Sequence, residues 1–312
     1  MDLLKISRKY FETFAQPRLK LSFPALYRRL AVGLVGNGSE CFGFDDMNSR
    51  DHDWGVDFFI WTRDEDKDMT QILSEWKSQL FKEEPPEFVR SNSEYGARIG
   101  IMTSGEFYAG LTGTPQGPKT IYEWVHAPEE NLAMAVNGSV FYDGFGEFTK
   151  TRNYILEYYP EDLRLKKIAA KCMILAQTGQ YNHGRTARRG DKVTLRIVLS
   201  RFTEAAMSLA FLLKKNYKPY YKWSYRSLCG LPDPGAQIAD ILLKLAEAGG
   251  LDSNSFYLRQ KLITELCEIF TNELKAQGLS SSNDWFLTTH AQEVQNKIQD
   301  NALRALPTQY DI

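Results

Sequence analysis

The sequence is poor in the residues that break or cross-link a chain. Its 312 residues include only 22 glycines, 12 prolines and 4 cysteines. With 43% hydrophobic and 13% aromatic residues, the composition excludes collagen-like, linker-like and disordered classes and favours an ordered globular protein. The length exceeds the usual size of a single hydrophobic core, so we expect two domains, or one domain with a large appendage.

Long apolar runs and clustered cysteines are also missing. No segment approaches the roughly 18 apolar residues that span a membrane, and residues 1–20 alternate charged with aromatic side chains, unlike a secretory signal. The cysteines are too widely spaced for a disulfide scaffold or a structural zinc site, so each is expected to be a small buried hydrophobe. They are Cys41, Cys172, Cys229 and Cys267. The sequence therefore predicts a cytoplasmic protein with no membrane partner.

The chain as a whole has almost no excess of charge of either sign, but one of its segments has such an excess. The formal net charge is −1 at pH 7, which by itself predicts no attraction to a polyanion or to an anionic membrane. The segment 161–226 nevertheless holds 15 Lys or Arg against 4 Asp or Glu, whereas the remainder holds 23 against 35. Basic charge is thus concentrated in one region, which indicates a cleft with two electrostatic sides.

The first half of the chain mixes short strands and helices. Apolar and β-branched runs at 30–36, 51–61 and 97–103 predict strands of one small sheet. Apolar residues at helical spacing predict a helix over 68–81.

The second half has an almost purely helical pattern. The predicted helices lie at about 161–178, 191–215, 235–249, 255–277 and 284–304. We therefore expect an α+β protein, with a small mixed-sheet domain over residues 1–155 and an all-helical bundle domain over residues 156–312.

A loop rich in glycine and acids connects the first two predicted strands. The first strand ends in Gly36-Asn-Gly-Ser39, and Asp51-His-Asp53 opens the second. Because alternate residues of a strand face the same side, the carboxylates of Asp51 and Asp53 are expected to project together, about 7 Å apart at their Cα atoms. Such oxygens suit Mg²⁺, which completes its shell with water and phosphate. Gly38 and Ser39 supply a close backbone approach and a hydroxyl for terminal phosphates.

Gly38-Ser39, a short spacer and Asp51-x-Asp53 before an apolar strand resemble the signature of the nucleotidyltransferase superfamily, which includes polymerase-β-like and aminoglycoside nucleotidyltransferases. Residues 36–55, together with Tyr217-Lys-Pro-Tyr-Tyr-Lys-Trp223, are more closely similar to a bacterial family known as domain of unknown function 4037, which is regarded as nucleotidyltransferase-like. The resemblance implies a small mixed sheet joined to a helical domain, two-metal transfer of a nucleoside monophosphate, and an NTP donor. It implies nothing about the acceptor.

One part of the superfamily pattern is missing. Many members place a third carboxylate on the adjoining strand, as a metal ligand or as the general base for the acceptor hydroxyl. The matching strand, 97–103, contains no acid. Glu106, just beyond its end, ranks first among the candidates, ahead of Glu94 just before it and the more remote Asp143. Without such a group nucleotide binding would persist while turnover would weaken, so a catalytically silent member remains an alternative.

A second set of candidate residues lies in the basic segment. Gly184-Arg-Thr-Ala-Arg-Arg-Gly-Asp191 is a predicted loop with three guanidinium groups, which suit forked contacts with phosphate. Lys222 stands among the aromatic residues of 217–223, which suit a base or a sugar ring. The residues predicted to bind phosphate or the acceptor are therefore Arg185, Arg188, Arg189 and Lys222.

These features favour a Mg²⁺-dependent nucleotidyltransferase that moves a nucleoside monophosphate from an NTP to an acceptor hydroxyl. The acceptor is a small molecule, a protein side chain or RNA. The alternative is a nucleotide- or RNA-binding regulator of the same fold that lacks turnover. A third hypothesis, a structural interaction protein whose Gly/Asp loop is only a turn, predicts no nucleotide binding.

Overall fold

The chain divides into a mixed α/β unit and a helical unit. The computed structural model describes residues 2–50, 55–83, 100–250 and 252–312. Its two compact units are Met1–Glu157, which contains a four-stranded sheet, and Tyr158–Ile312, whose described elements are all helical. The predicted α+β class is confirmed. Within the described ranges, no helix is both long enough and apolar enough to cross a membrane.

The first unit contains short helices around the sheet. A π-helical turn, Phe11–Ala15, joins its first two helices. The helices are α1 Leu3–Tyr10, α2 Gln16–Ser22, α3 Pro24–Tyr27, α4 Met69–Lys82, α5 Ser104–Thr112, α6 Ile121–His126, α7 Glu129–Val136 and α8 Glu147–Leu156. The strands are β1 Ala31–Leu34, β2 Phe59–Thr62, β3 Ile101–Thr103 and β4 Ser139–Asp143.

The sheet is mixed and has the strand order β3-β2-β1-β4. β1 is antiparallel to both neighbours, and Gly33 lies opposite Phe59 in β2. β2 and β3 are parallel, and Thr62 lies opposite Thr103. The end of β1 therefore lies beside the beginnings of β2 and β4, whereas β2 and β3 both end at the opposite edge.

Apolar and aromatic side chains cover both faces of the sheet. β1 and β2 are buried throughout, as their continuous apolar runs predict. On one face, Phe11 packs on Phe58 with a distance of 5.5 Å between ring centroids. On the other, Trp61 of β2 stacks on Phe148 at 3.9 Å and meets Phe107 edge-on at 5.2 Å. The alternation of residues 58–61 between faces is that of a strand.

A buried ion pair joins the beginning of β2 to α4. The Lys77 Nζ atom lies 2.7 Å from a carboxylate oxygen of Asp57, and the two side chains are only 6% and 17% exposed. Lys77 Nζ also donates to the carbonyl oxygen of Phe58 at 2.6 Å. In the sequence, Asp57 is separated from Asp51 and Asp53 by even numbers of residues, as residues on one face of a strand are. Its carboxylate, however, pairs with the buried Lys77.

The second unit consists of eight helices in its described part. A π-helical segment, Ala176–Asn182, continues the first of them into the second. The helices are α9 Glu161–Leu175, α10 His183–Arg188, α11 Lys192–Leu213, α12 Tyr221–Leu228, α13 Gly235–Glu247, α14 Ser253–Ala276, α15 Leu287–Asn296 and α16 Asn301–Ala305.

The four cysteines are free thiols with different environments. Cys41, Cys172 and Cys267 are buried, as expected of small hydrophobes. The expectation is wrong for Cys229, which is exposed directly after the last residue of α12.

Candidate functional site

The turn after β1 is shaped by two glycines and by the side chain of Asn137. Gly36 and Gly38 have φ angles of +115° and +136°, which side-chain-bearing residues rarely adopt. The backbone N–H of Gly36 donates to Oδ1 of Asn137 at 2.8 Å, and Nδ2 of Asn137 donates to the carbonyl oxygen of Gly36, also at 2.8 Å. The side-chain amide of Asn137 thus holds the beginning of the turn from both sides.

A second layer of contacts supports Asn137. The Arg152 guanidinium on α8 donates to the carbonyl oxygen of Asn137 at 2.7 Å, and the N–H of Gly138 donates to the carbonyl oxygen of Cys41 at 2.7 Å. Burial lowers the pKa of Arg152, but an arginine remains protonated in a protein. A partly buried positive charge therefore lies behind this turn. Sequence reasoning missed Asn137 and Arg152, because neither belongs to a local motif.

Ser39 and Glu40 lie at the open side of the turn. The half-buried Ser39 hydroxyl forms no hydrogen bond with the part of the chain that the structure describes, while the Ser39 carbonyl accepts from the N–H groups of Phe42 and Phe44 at 3.1 and 2.8 Å. A Cβ atom at Gly38 would clash with the carboxylate of Glu40, so this acid lies directly against the turn. Glu40 is therefore part of the candidate site.

The predicted metal ligands Asp51 and Asp53 lie outside the described residues, as do His52 and Glu94. The ranges that the structure describes contain no group of three or more His, Cys, Asp or Glu side chains arranged to hold a metal. Mg²⁺ commonly takes only one or two protein carboxylates and completes its shell with water and nucleotide phosphates. The carboxylate oxygens of two aspartates are donors that suit that ion.

Glu106 is placed at the opposite edge of the sheet from Gly38 and Ser39. It follows the end of β3 and forms a capping box with Thr103: its carboxylate accepts from the Thr103 N–H at 3.0 Å, and its own N–H donates to the Thr103 hydroxyl at 3.1 Å. Lys67 Nζ lies 2.5 Å from the same carboxylate, and this hydrogen bond is the main cause of the lowered pKa of Glu106. The Thr-Ser-Gly-Glu pattern of 103–106 is a sequence signal for this cap.

Asp143 also lies at that opposite edge. It is the last residue of β4 and pairs with Ala31, the first residue of β1. Its carboxylate accepts from the N–H groups of Gly146 and Thr149 at 2.7 and 2.8 Å, where it holds the beginning of α8. Neither of the described candidates for the third carboxylate is therefore brought to the turn after β1.

The three predicted arginines are exposed in the second unit. The segment around them is not a loop: α10 extends through Arg188, and Arg189 directly follows it. Arg185 donates to the hydroxyl of Tyr181, and its guanidinium carbon lies 4.5 Å from the centroid of that ring.

Lys222 lies in the first turn of α12, also exposed, with Nζ 5.2 Å from the Trp223 ring centroid. Of the neighbouring aromatics, Tyr217 is buried against Tyr158 and Tyr159, with ring centroids 4.7 and 5.2 Å away. Tyr217 is therefore a core residue, whereas Tyr221 is 76% exposed.

The structure does not bring the arginines and Lys222 together by any contact among the described residues. The arginines lie just before the beginning of α11. Lys218, four residues before Lys222, instead donates to the hydroxyl of Ser208 at 2.8 Å, in the second half of α11. Asp191 and Ser208 are about 25 Å apart along a helix that rises 1.5 Å per residue. The predicted residues thus belong to separate places in the helical unit.

The model of a family described as domain of unknown function (DUF4037) matches residues 124–224. This match supports the resemblance to that family, over less than half of the chain. The matched residues include Asn137, Arg152, the three arginines and Lys222, but not the turn at 36–39. No curated protein matches the chain, and no solved structure matches it.

Proposed function

We propose that the chain is a cytoplasmic, Mg²⁺-dependent nucleotidyltransferase that transfers a nucleoside monophosphate from an NTP to an acceptor hydroxyl of a small molecule, a protein or RNA. The observation that carries the proposal is the Gly36–Ser39 turn. It combines two left-handed glycines, a serine hydroxyl without a partner in the described chain, and the Arg152 charge behind Asn137. Successive N–H groups and a hydroxyl in such a turn suit terminal phosphates.

In the proposed site, Ser39 and the backbone of Gly38 orient the triphosphate, and Asn137 keeps the turn in the conformation that accepts it. Asp51 and Asp53, which precede Gly55 in the sequence, would hold Mg²⁺. The ion would polarise the α-phosphate and neutralise the pyrophosphate that leaves. Glu40 lies against the turn, and its negative charge adds to the acidic side of the site, whereas Glu106 has no part in it.

A thermal-shift experiment tests nucleotide binding first. Each of the four NTPs is added with and without Mg²⁺ to the wild-type protein, and we expect stabilisation that depends on the ion. Ser39→Ala and the pair Asp51→Asn/Asp53→Asn should each reduce the shift, because they remove a phosphate contact and the ion's carboxylates. Ser78→Ala, an exposed serine on α4, is the matched control. An undiminished shift in the double aspartate variant would show that the metal assignment is wrong.

Turnover is tested with labelled NTP and a screen of small-molecule, protein and RNA acceptors. Label should enter one acceptor class in the presence of Mg²⁺ and not in the double aspartate variant. The second candidate function, a silent nucleotide- or RNA-binding regulator, is favoured by one observation: the described carboxylates Glu106 and Asp143 both lie away from the turn. It predicts nucleotide binding with no labelled product in any arm.

A further inference from the structure

A row of exposed cations follows α10 and the first half of α11, and the proposed transfer reaction assigns them no role. We call this surface the basic face, and its residues are Arg185, Arg188, Arg189, Lys192, Arg196 and Arg201. All six are exposed, and none forms an ion pair with another described residue. Within 183–201 the one acid is Asp191.

Several other cations of the same unit form ion pairs. Lys171 lies 2.6 Å from Asp311, Lys214 lies 2.8 Å from Glu273, and Lys244 lies 2.6 Å from Asp240. The basic face differs from these surfaces because none of its six cations forms an ion pair with a described residue.

Asp191 does little to reduce the charge of the basic face. Its carboxylate caps α11, where it accepts from the backbone N–H of Thr194 at 3.0 Å and from the Thr194 hydroxyl at 2.6 Å. These hydrogen bonds, led by that of the Thr194 side chain, lower the pKa of Asp191. The acid is thus committed to the helix N-terminus, and the six cations still outnumber it.

Helical spacing aligns part of the basic face. Lys192, Arg196 and Ser200 follow one another at intervals of four residues, so they form one row on the exposed side of α11. The opposite side of that helix, with Leu195 and Phe202, is buried in the bundle. The Ser200 hydroxyl forms no hydrogen bond among the described residues, which leaves a donor and acceptor in line with the two cations.

Two exposed aromatic residues lie near the α10 end of the basic face. Tyr181 is 51% exposed and has the Arg185 guanidinium against its ring. Trp285 is 62% exposed, and its carbonyl oxygen accepts from Nε2 of Gln180, the residue before Tyr181. Proteins bind single-stranded nucleic acid with cations and nearby exposed aromatic rings, since phosphates contact the cations and bases stack on the rings.

We propose that the basic face binds single-stranded RNA. Five of its six cations are arginines, whose planar forks suit phosphate oxygens. The Ser200 hydroxyl suits a ribose 2′-hydroxyl, which is the group that distinguishes RNA from DNA. An anionic membrane fits less well, because a helix that binds the lipid interface inserts a continuous apolar side, whereas most apolar residues of α11 are buried in the bundle and only Val193 and Ile197 are exposed among its large apolar side chains, at 70% and 49%.

The test is fluorescence anisotropy of the full chain with a fluorescein-labelled oligouridylate, titrated over a range of KCl concentrations. We expect the logarithm of the binding constant to fall linearly with the logarithm of salt concentration, with a slope of about −4 if all six cations neutralise phosphates of a single strand. Arg188→Ala/Arg189→Ala/Arg196→Ala should weaken binding at least about tenfold at low salt and reduce the slope by about 2.

The matched control has the same change in charge elsewhere: Arg18→Ala/Arg28→Ala/Lys297→Ala, three exposed cations without an ion pair among the described residues. Circular dichroism checks that both triple variants are folded. The proposal is overturned if the oligouridylate does not bind, if both triple variants weaken binding equally, or if oligodeoxythymidylate binds as tightly as the RNA. Binding to phosphatidylserine vesicles but not to RNA would assign the surface to a membrane instead.

The proposal does not depend on nucleotidyl transfer. Asp51→Asn/Asp53→Asn should bind the oligouridylate as tightly as the wild type, because phosphates of the strand contact the basic face and not those aspartates. Loss of label transfer with intact RNA binding would therefore reject only the proposed enzyme, and intact NTP binding without RNA binding would reject only the basic face.

Discussion

Individual residues around the turn after β1 have little room for substitution, and Gly138 is the sharpest case. Its φ is +60°, and a Cβ atom there would clash with the carbonyl oxygen of Leu34. Gly146 has a similar φ of +77° but no heavy atom within 4 Å of the same position. Comparing substitutions at these two glycines therefore separates the free-energy cost of a positive φ angle from the cost of the clash with Leu34.

We expect Gly146→Ala to destabilise the protein by about 1 kcal/mol, the cost of a left-handed residue. Gly138→Ala should cost clearly more, over about 2 kcal/mol, because β1 and the segment before β4 must also separate. Urea unfolding of both variants measures the difference. Equal losses would mean that the close approach relaxes freely.

The ion pair between Lys77 and Asp57 gives a second prediction for single residues. Lys77→Met leaves the buried Asp57 carboxylate without its cation, and we expect a loss of roughly 3 kcal/mol in the free energy of unfolding. Lys82→Met, at the exposed end of the same helix, should change stability by less than about 0.5 kcal/mol. If the two methionine variants unfold at the same urea concentration, the pair does not stabilise the fold.

Some of these residue environments were predictable from sequence and others were not. The Thr-x-x-Glu spacing at 103–106 is visible in the sequence and explains Glu106 as a helix cap better than as a third carboxylate. Asn137 could not be found in this way, because its partner Gly36 is 101 residues away and no local pattern connects them. Contacts that close long loops depend on the topology of the sheet.

Elements with long apolar periodicity were predicted closely. The helix expected at 255–277 is Ser253–Ala276, and the one expected at 191–215 is Lys192–Leu213. The helix expected over 284–304 is instead two helices, because the Asp300 carboxylate accepts from the N–H groups of Ala302 and Leu303 and begins α16. A polar cap thus interrupted a pattern that periodicity alone would continue.

Short elements were harder to predict. α10 and α12 contain six and eight residues, too few for a period of 3.6 to repeat clearly. Both carry predicted site residues. Because the helical period does not show in so short a segment, 184–190 was expected to be a loop, although it is mostly helical. β4 was missed because its five residues are half-buried and lack the continuous apolar run of β1.

The contact between α10 and α14 predicts a pH dependence. His183 is buried; Nε of Arg259 donates to its Nε2 at 3.3 Å, its Nδ1 lies 3.2 Å from Oε1 of Gln260, and its ring stacks on Phe256. This arrangement requires a neutral imidazole. Burial is the main cause of the lowered pKa of His183, and the charge of Arg259 adds to it.

Between the lowered pKa and the ordinary value of 6.5, the unfolded chain binds more protons at His183 than the folded chain does. The contribution of His183 to stability is therefore complete above about pH 6.5 and is lost as the pH falls below it. The free energy of unfolding of His183→Asn should change less between pH 7 and pH 5 than that of the wild type. His126→Gln, an exposed histidine, should leave that difference unchanged, and an unchanged difference in His183→Asn would reject the assignment.

At the scale of the whole molecule, the two units differ in charge as well as in architecture. Residues 158–312 contain 21 Lys or Arg and 15 Asp or Glu, whereas residues 1–157 contain 17 and 24. The net charge of −1 therefore combines an acidic α/β unit with a basic helical unit. A polyanion should therefore bind the basic helical unit in preference to the acidic α/β unit, although the whole chain is nearly neutral.

Each unit also has its own hydrophobic core. Trp61, Phe107 and Phe148 pack together in the first, and Phe202 and Phe270 are fully buried in the second. Both units have a length typical of single domains. These properties predict that a cut between Glu157 and Tyr158 gives two fragments that fold separately.

We expect residues 158–312, expressed alone, to unfold cooperatively in urea and to retain oligouridylate binding within about threefold of the full chain, because all six cations of the basic face are in this fragment. Residues 1–157 should bind no oligouridylate but keep the Mg²⁺-dependent thermal shift with NTP, since the turn and both aspartates are in that fragment. If the helical fragment folds but binds RNA as weakly as the arginine triple variant, residues of the first unit take part in binding. If neither fragment unfolds cooperatively, the two units are a single folding unit, and the stability changes predicted above belong to the whole chain.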